Sequence, residues 1–129
     1  MAISITAAVA QSLATALATA VGSGASIRIY SGSKPATPET TATGTLLATV
    51  PITGSFTASG GSITAADPGS VTPSASGTAG YFRLLTTGST AILDGTVGTS
   101  GADMNLSSTA ISTSSPLDLG VPTFTVPVA

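Results

Sequence analysis

The chain has 129 residues, long enough for one domain with a real core, and no cysteine, so neither disulfides nor thiolate metal sites hold it. Hydrophobic residues make up 42% and charged residues only 6%, against roughly 25% charged in an ordinary soluble domain, and the formal net charge is −2. That balance excludes disorder, which goes with low hydrophobicity and high charge. It also excludes nucleic-acid binding, because basic residues only at positions 28, 34 and 83 cannot neutralise a phosphate backbone.

The chain opens with "MAISITAAVAQSLATALATAV". A signal peptide wants a positive leading segment, yet no Lys or Arg precedes Arg28. A membrane span wants about 20 strongly apolar residues, and here Ala and Thr dominate and Gln11 interrupts. The expectation is a soluble helix and no membrane contact. Ile5, Val9, Leu13, Leu17 and Val21 recur every four residues and predict one apolar stripe. Val9, Leu13, Leu17 and Val21 are therefore the candidate helix interface, against the domain's own sheet or a neighbouring subunit. Gly22 and Gly24 close the helix. Residues 1–24 read as helix and hinge, residues 25–129 as a β domain.

From there the period changes to two. In "SIRIYS" Ile27 and Ile29 face one way and Arg28 and Tyr30 the other. "GTLLATVPI" and "GSFTASGGSIT" predict further short strands, the first ending or lying on an edge at Pro51. "GYFRLLTTGSTAILDGTVG" predicts two strands about a two-residue turn at Gly88-Ser89, with Phe82 and Leu84 alternating against Tyr81, Arg83 and Leu85. "MNLSSTAIS" and "VPTFTVPV" supply two more. Short, evenly spaced strands with Gly/Pro/Ser turns predict a mainly β fold: an antiparallel β-sandwich or small barrel, Ig-like or jelly-roll-like, with an N-terminal α-helix.

Chemistry finds few candidates. With neither His nor Cys, Ser-His and Cys-His nucleophile systems and common zinc ligation are absent. Ser31 or Ser33 beside Lys34 forms a Ser-Lys pair only if the lysine is desolvated, and "SGSKPATPET" reads as exposed. Asp67, Asp94, Asp103 and Asp118 each stand beside turn residues, where aspartate supports the turn through backbone hydrogen bonds. Asp94, Asp103 and Asn105 offer oxygen ligands, but without a known calcium-loop spacing. "NLS" at 105–107 is a glycosylation triplet of low specificity. The expectation is no enzyme, no cofactor and no metal. Tyr81 beside Arg83 is a candidate contact anchor, or a cross-strand pair within the domain.

The strings "IRIYSGSKPATPETTATGTLLATV", "GTAGYFRLL" and "AILDGTVGTSGADMNL", with the closing Thr/Val strand, resemble a family of small tailed-bacteriophage virion proteins, from about Ile27 onward. Tyr81 stands where that pattern has tryptophan, and Met104 where leucine is common. The resemblance implies a virion structural protein, most concretely a head-decoration (cement) protein on the outer capsid. Its partners would be the major capsid protein and copies of itself, commonly as a homotrimer. On that reading residues 31–44 are a strand-to-strand excursion stiffened by Pro35 and Pro38, with Lys34 and Glu39 setting register against a partner. The candidate partner interface is Tyr30, Lys34, Glu39, Tyr81 and Arg83. A tail-tube, tail-tip or fibre-associated module, or a surface glycan-binding or adhesive module, stands as the alternative.

Overall fold

The computed structural model describes residues 5–120 and 123–125. It is mainly β with one N-terminal helix, and its large sheet curls into a half-barrel, compatible with the expected sandwich or barrel class. Helix α1 spans Ala7–Val21. Thr6 caps it by accepting the Val9 amide at 3.2 Å. Gly22, at φ 72°, ends it with its own amide on the Ala18 carbonyl. Ser12, Thr15 and Thr19 turn their hydroxyls back onto carbonyls one turn earlier, so the helix satisfies much of its own polar surface.

The strands are β1 (Ser26–Ser31), β2 (Leu46–Pro51), β3 (Thr57–Ser59), β4 (Ser62–Thr64), β5 (Ser70–Val71), β6 (Gly77–Leu85), β7 (Ala91–Gly98), β8 (Met104–Asn105), β9 (Ala110–Ile111), β10 (Leu117–Asp118) and β11 (Thr123–Thr125). The large sheet has the order β2-β1-β6-β7-β8, and β9 pairs with the start of β6. Its pairs are antiparallel except β7 with β8, which run parallel. A second sheet has the order β11-β4-β3, and β5 pairs with β10 as a short ribbon.

Alternation along β1 and β6 sends Ile27, Ile29, Phe82 and Leu84 to the inner face, all 0–1% exposed. There they join Leu47, Val50, Val97, Ile63, Phe124 and the helical Ala14 and Val21 in one core. Phe124 ties the two sheets together, stacking on Phe82 at 5.1 Å and tilting against Phe56 at 5.9 Å between ring centres. Gly95, paired opposite Phe82, leaves room for that ring, since a Cβ there would overlap it.

Four expectations change. The helix buries only half of the predicted stripe on its own domain: Val21 is buried and Leu17 partly so, whereas Val9 and Leu13 are 46% and 44% exposed and Ala10 and Ala14 are buried in their place. The reason is geometric. With 3.6 residues per turn, a strict four-residue repeat drifts by about 40° per step and winds off any one face. The buried set, with spacings of four and three, stays on it. Small residues there let α1 sit close to β3 and β4, where a Cβ on Gly61 would lie 3.2 Å from that of Ala10. Gln11, which interrupts the apolar run, joins helix to hairpin: its side chain accepts the Gly60 amide at 2.6 Å and donates to the Ala58 carbonyl at 3.3 Å.

"GSFTASGGSIT" is a hairpin, β3 and β4, rather than one strand. The β6–β7 connection, residues 86–90, closes on the Thr86–Thr90 pair, and Ser89, not Gly88, takes the left-handed conformation at φ 66°. Ser89 donates to the Thr86 carbonyl, and Thr86 to that of Thr90, a turn followed by a bulge. "MNLSSTAIS" divides into β8 and β9, and of the closing segment β11 is described while 121–122 and 126–129 lie outside the described residues. Among the described residues no helix is long and apolar enough to cross a membrane.

The revised helix face is testable by urea unfolding. Ala14→Leu is expected to lower stability by about 1–3 kcal/mol through overpacking. Leu13→Ser is expected to change it by less than about 0.5 kcal/mol. The reverse ranking would restore the original stripe.

Candidate functional site

The outer face of the large sheet, opposite the core, collects most of the residues with chemistry. Register aligns one row as Thr49, Arg28, Arg83 and Asp94 across β2, β1, β6 and β7. The neighbouring row reads Leu46, Tyr30, Tyr81 and Thr96. Arg83 and Asp94 form a bidentate ion pair, Nε to Oδ1 at 2.7 Å and Nη2 to Oδ2 at 2.9 Å. Their side chains are 7% and 2% exposed. The hydrogen bond to Asp94 holds the Arg83 guanidinium above its ordinary pKa, against the desolvation that lowers it. With the folded pKa raised, the guanidinium's own contribution is fully present below its ordinary pKa and is lost only as strongly alkaline pH passes the raised one.

Tyr30 and Tyr81 stack in the next row, rings 5.1 Å apart and 10° from parallel. The Tyr81 hydroxyl donates to the Thr43 carbonyl at 2.6 Å and accepts the Thr43 amide at 3.0 Å. This bond folds the 31–45 excursion back over the sheet. The root of the excursion is clamped: Ser31 donates to the Thr45 carbonyl, and Thr45 to Ser31 Oγ. Gly80 and Gly44 permit the close approach, because a Cβ on either would overlap the carbonyl of Gly32 or Ser31 respectively. Pro35 is buried, while the tip is a turn over Thr37–Thr40 with Glu39 exposed at its crest. Lys34 is exposed and donates to the neighbouring Pro35 carbonyl at 3.3 Å.

The candidate interface residues therefore divide. Tyr30, Tyr81 and Arg83 are buried at 7%, 0% and 5% exposure, so they bind the subunit together rather than meeting a partner. Alternation placed them on the correct face, but it carried no information about the loop that closes over it. A glycan site needs exposed aromatic rings, and the two tyrosines that would offer them, Tyr30 and Tyr81, are closed off in the same way. Lys34 and Glu39 remain at the surface. Asp94 corrects the turn assignment: it lies within β7, inside the sheet. The only signal for it was an acidic residue one strand away from a basic one.

The other acidic residues follow their sequence context. Asp67 and Asp118 accept the amides two residues on, from Gly69 and Gly120, each at 2.8 Å. Asp103 accepts the Thr96 amide and hydroxyl, and Asn105 accepts the Ala102 amide. Asp94, Asp103 and Asn105 thus each hold a different protein partner, and no cluster of three metal-ligating side chains occurs among the described residues. Ser31 Oγ, half of the formal Ser-Lys pair, is taken up by the Thr45 amide. A cleft of about 580 Å³ lined by Leu17, Phe82, Leu93, Asp94, Asp103 and Phe124 presents only these engaged carboxylates.

Comparison with protein-family models, with curated proteins and with solved structures finds no match for this chain.

The pair at the centre of the outer face yields a direct test. Asp94→Asn strands a buried guanidinium in a row that already carries Arg28, and is expected to cost about 3–5 kcal/mol in urea unfolding. Replacing both partners together, Arg83→Met with Asp94→Leu, is expected to recover most of that loss. Equal loss in the single and double variants would contradict the pairing account.

Proposed function

We propose that this chain is a structural protein of a tailed-bacteriophage particle, most concretely a decoration protein that lies on the outer capsid and bridges capsid subunits. The observation that carries this reading is how the charges are used. Arg83 and Asp94 hold each other, and Asp67, Asp103 and Asp118 hold backbone amides. The convergent, underused groups that a catalytic site needs are missing from the described residues. What is left outside is a charge-poor β surface, a stiff loop bearing Lys34 and Glu39, and the apolar side chains of Val9 and Leu13.

Such a domain suits a mechanical task. A rigid module that contacts several shell subunits binds the closed shell and not its separated parts, so binding adds to shell stability by mass action. Many copies multiply the gain without chemistry. The resemblance from about Ile27 onward supports the same reading, because its fixed letters coincide with the strands and turns that build the sheet: β1, β6, β7 and the Gly/Thr-rich root of the excursion.

Heating phage particles with and without this protein tests the proposal. Particles carrying it are expected to release their genome at a higher temperature, and adding purified protein to stripped particles is expected to restore the difference. Identical rupture temperatures would overturn the cement role.

A further inference from the structure

Among the charged side chains of the described residues, Arg28 and Glu39 are the two that make no hydrogen bond within the fold. Of the five carboxylates, Asp67, Asp94, Asp103 and Asp118 accept hydrogen bonds within the fold, and among the described residues Glu39 accepts none. Of the three cations, Arg83 is paired with Asp94 and Lys34 donates to a carbonyl beside it. The Arg28 side chain donates to nothing among the described residues, and its Nε is buried without a partner. A buried donor with no acceptor costs desolvation free energy that the fold does not return. Arg28 also stands directly across from Arg83, a like charge in register. It is the one charge of its row still partly open to solvent, whereas Arg83 and Asp94 are closed off.

Glu39 sits at the opposite extreme, on the crest of a turn whose root is fixed by Tyr81, Ser31 and Gly80. Within one subunit the two groups form no ion pair. We infer that Glu39 of one copy of this chain pairs with Arg28 of a second copy, so that the excursion of each subunit docks on the outer face of its neighbour. The occupant is a second copy because the two charged side chains without a hydrogen bond in the fold are opposite in sign and stand on two different surfaces. Repeating that contact pairs Glu39 with the solvent-open end of Arg28 in every subunit, either reciprocally in a dimer or around a closed ring. Pro35 and Pro38 limit the ordering cost of the docked loop, and the charge pair fixes its register. The inference concerns the free protein and stands apart from the particle reading.

Sedimentation velocity of the purified full chain tests it. The unaltered protein is expected to associate, and Arg28→Glu and Glu39→Lys are each expected to raise the dissociation constant at least tenfold. Mixing these two variants leaves a native Glu39 on one and a native Arg28 on the other, so the equimolar mixture is expected to recover a species of at least two chains. The Arg83 Nε–H NMR signal verifies that each variant is folded, and Arg28→Gln replaces Arg28→Glu should the latter unfold. An unaltered protein that stays monomeric would overturn the inference, as would single variants that still associate or a mixture of folded variants that stays apart. Particle rupture temperatures are unaffected by this test, so its failure and that of the proposed function are separately readable.

Discussion

The ion pair between Arg83 and Asp94 is the constraint on which the outer half of the molecule depends. Arg28 and Arg83 occupy one register position on β1 and β6, so two like charges enter the same row of the outer face. The Asp94 carboxylate, delivered by β7 in the next register position, neutralises one of them with two short hydrogen bonds. Once that charge is held, the neighbouring row can close, with Tyr30 and Tyr81 stacked in it. Tyr81 then has its hydroxyl free to fasten Thr43 and with it the long excursion. The excursion thereby covers the tyrosine row, while Arg28 and Thr49 in the next row stay partly or fully open.

This closure explains how a chain with so few charges behaves as one packed unit. The inner face relies on Ile, Leu and Phe, with Phe124 joining two sheets. The outer face relies on one ion pair, one aromatic stack and hydrogen bonds to a loop. What remains exposed is largely Ser, Thr and Gly, together with the apolar Val9 and Leu13. A surface of this kind suits a protein that works by contact with many neighbours, and the proposed decoration role follows from that, not from any catalytic arrangement.

Much of the inner architecture was legible in the sequence. Period-two alternation in "SIRIYS" and "YFRLL" assigned Ile27, Ile29, Phe82 and Leu84 to one face and Arg28, Tyr30, Tyr81 and Arg83 to the other, as found. Aspartates followed two residues on by glycine formed the local turns their context implied. The misses share a cause, in that each depended on a partner distant in the chain. Tyr81 is buried by Thr43, 38 residues away. Asp94 looks like a turn residue until Arg83 is placed beside it. The helix face was decided by β3 and β4, which favour small Ala10 and Ala14 over larger Val9 and Leu13. Strands of two residues, such as β5 and β10, are too short to leave a period at all.

Amide and guanidinium hydrogen exchange followed by NMR tests the closed outer face most directly. The account predicts that the Arg83 Nε–H and the Thr43 amide exchange only with global unfolding, while amides at the tip, around Glu39, exchange at nearly the rate of an open chain. Rapid exchange at Arg83 and Thr43 in a protein whose β1 and β6 amides stay protected would mean that the face is open, and the account would be wrong.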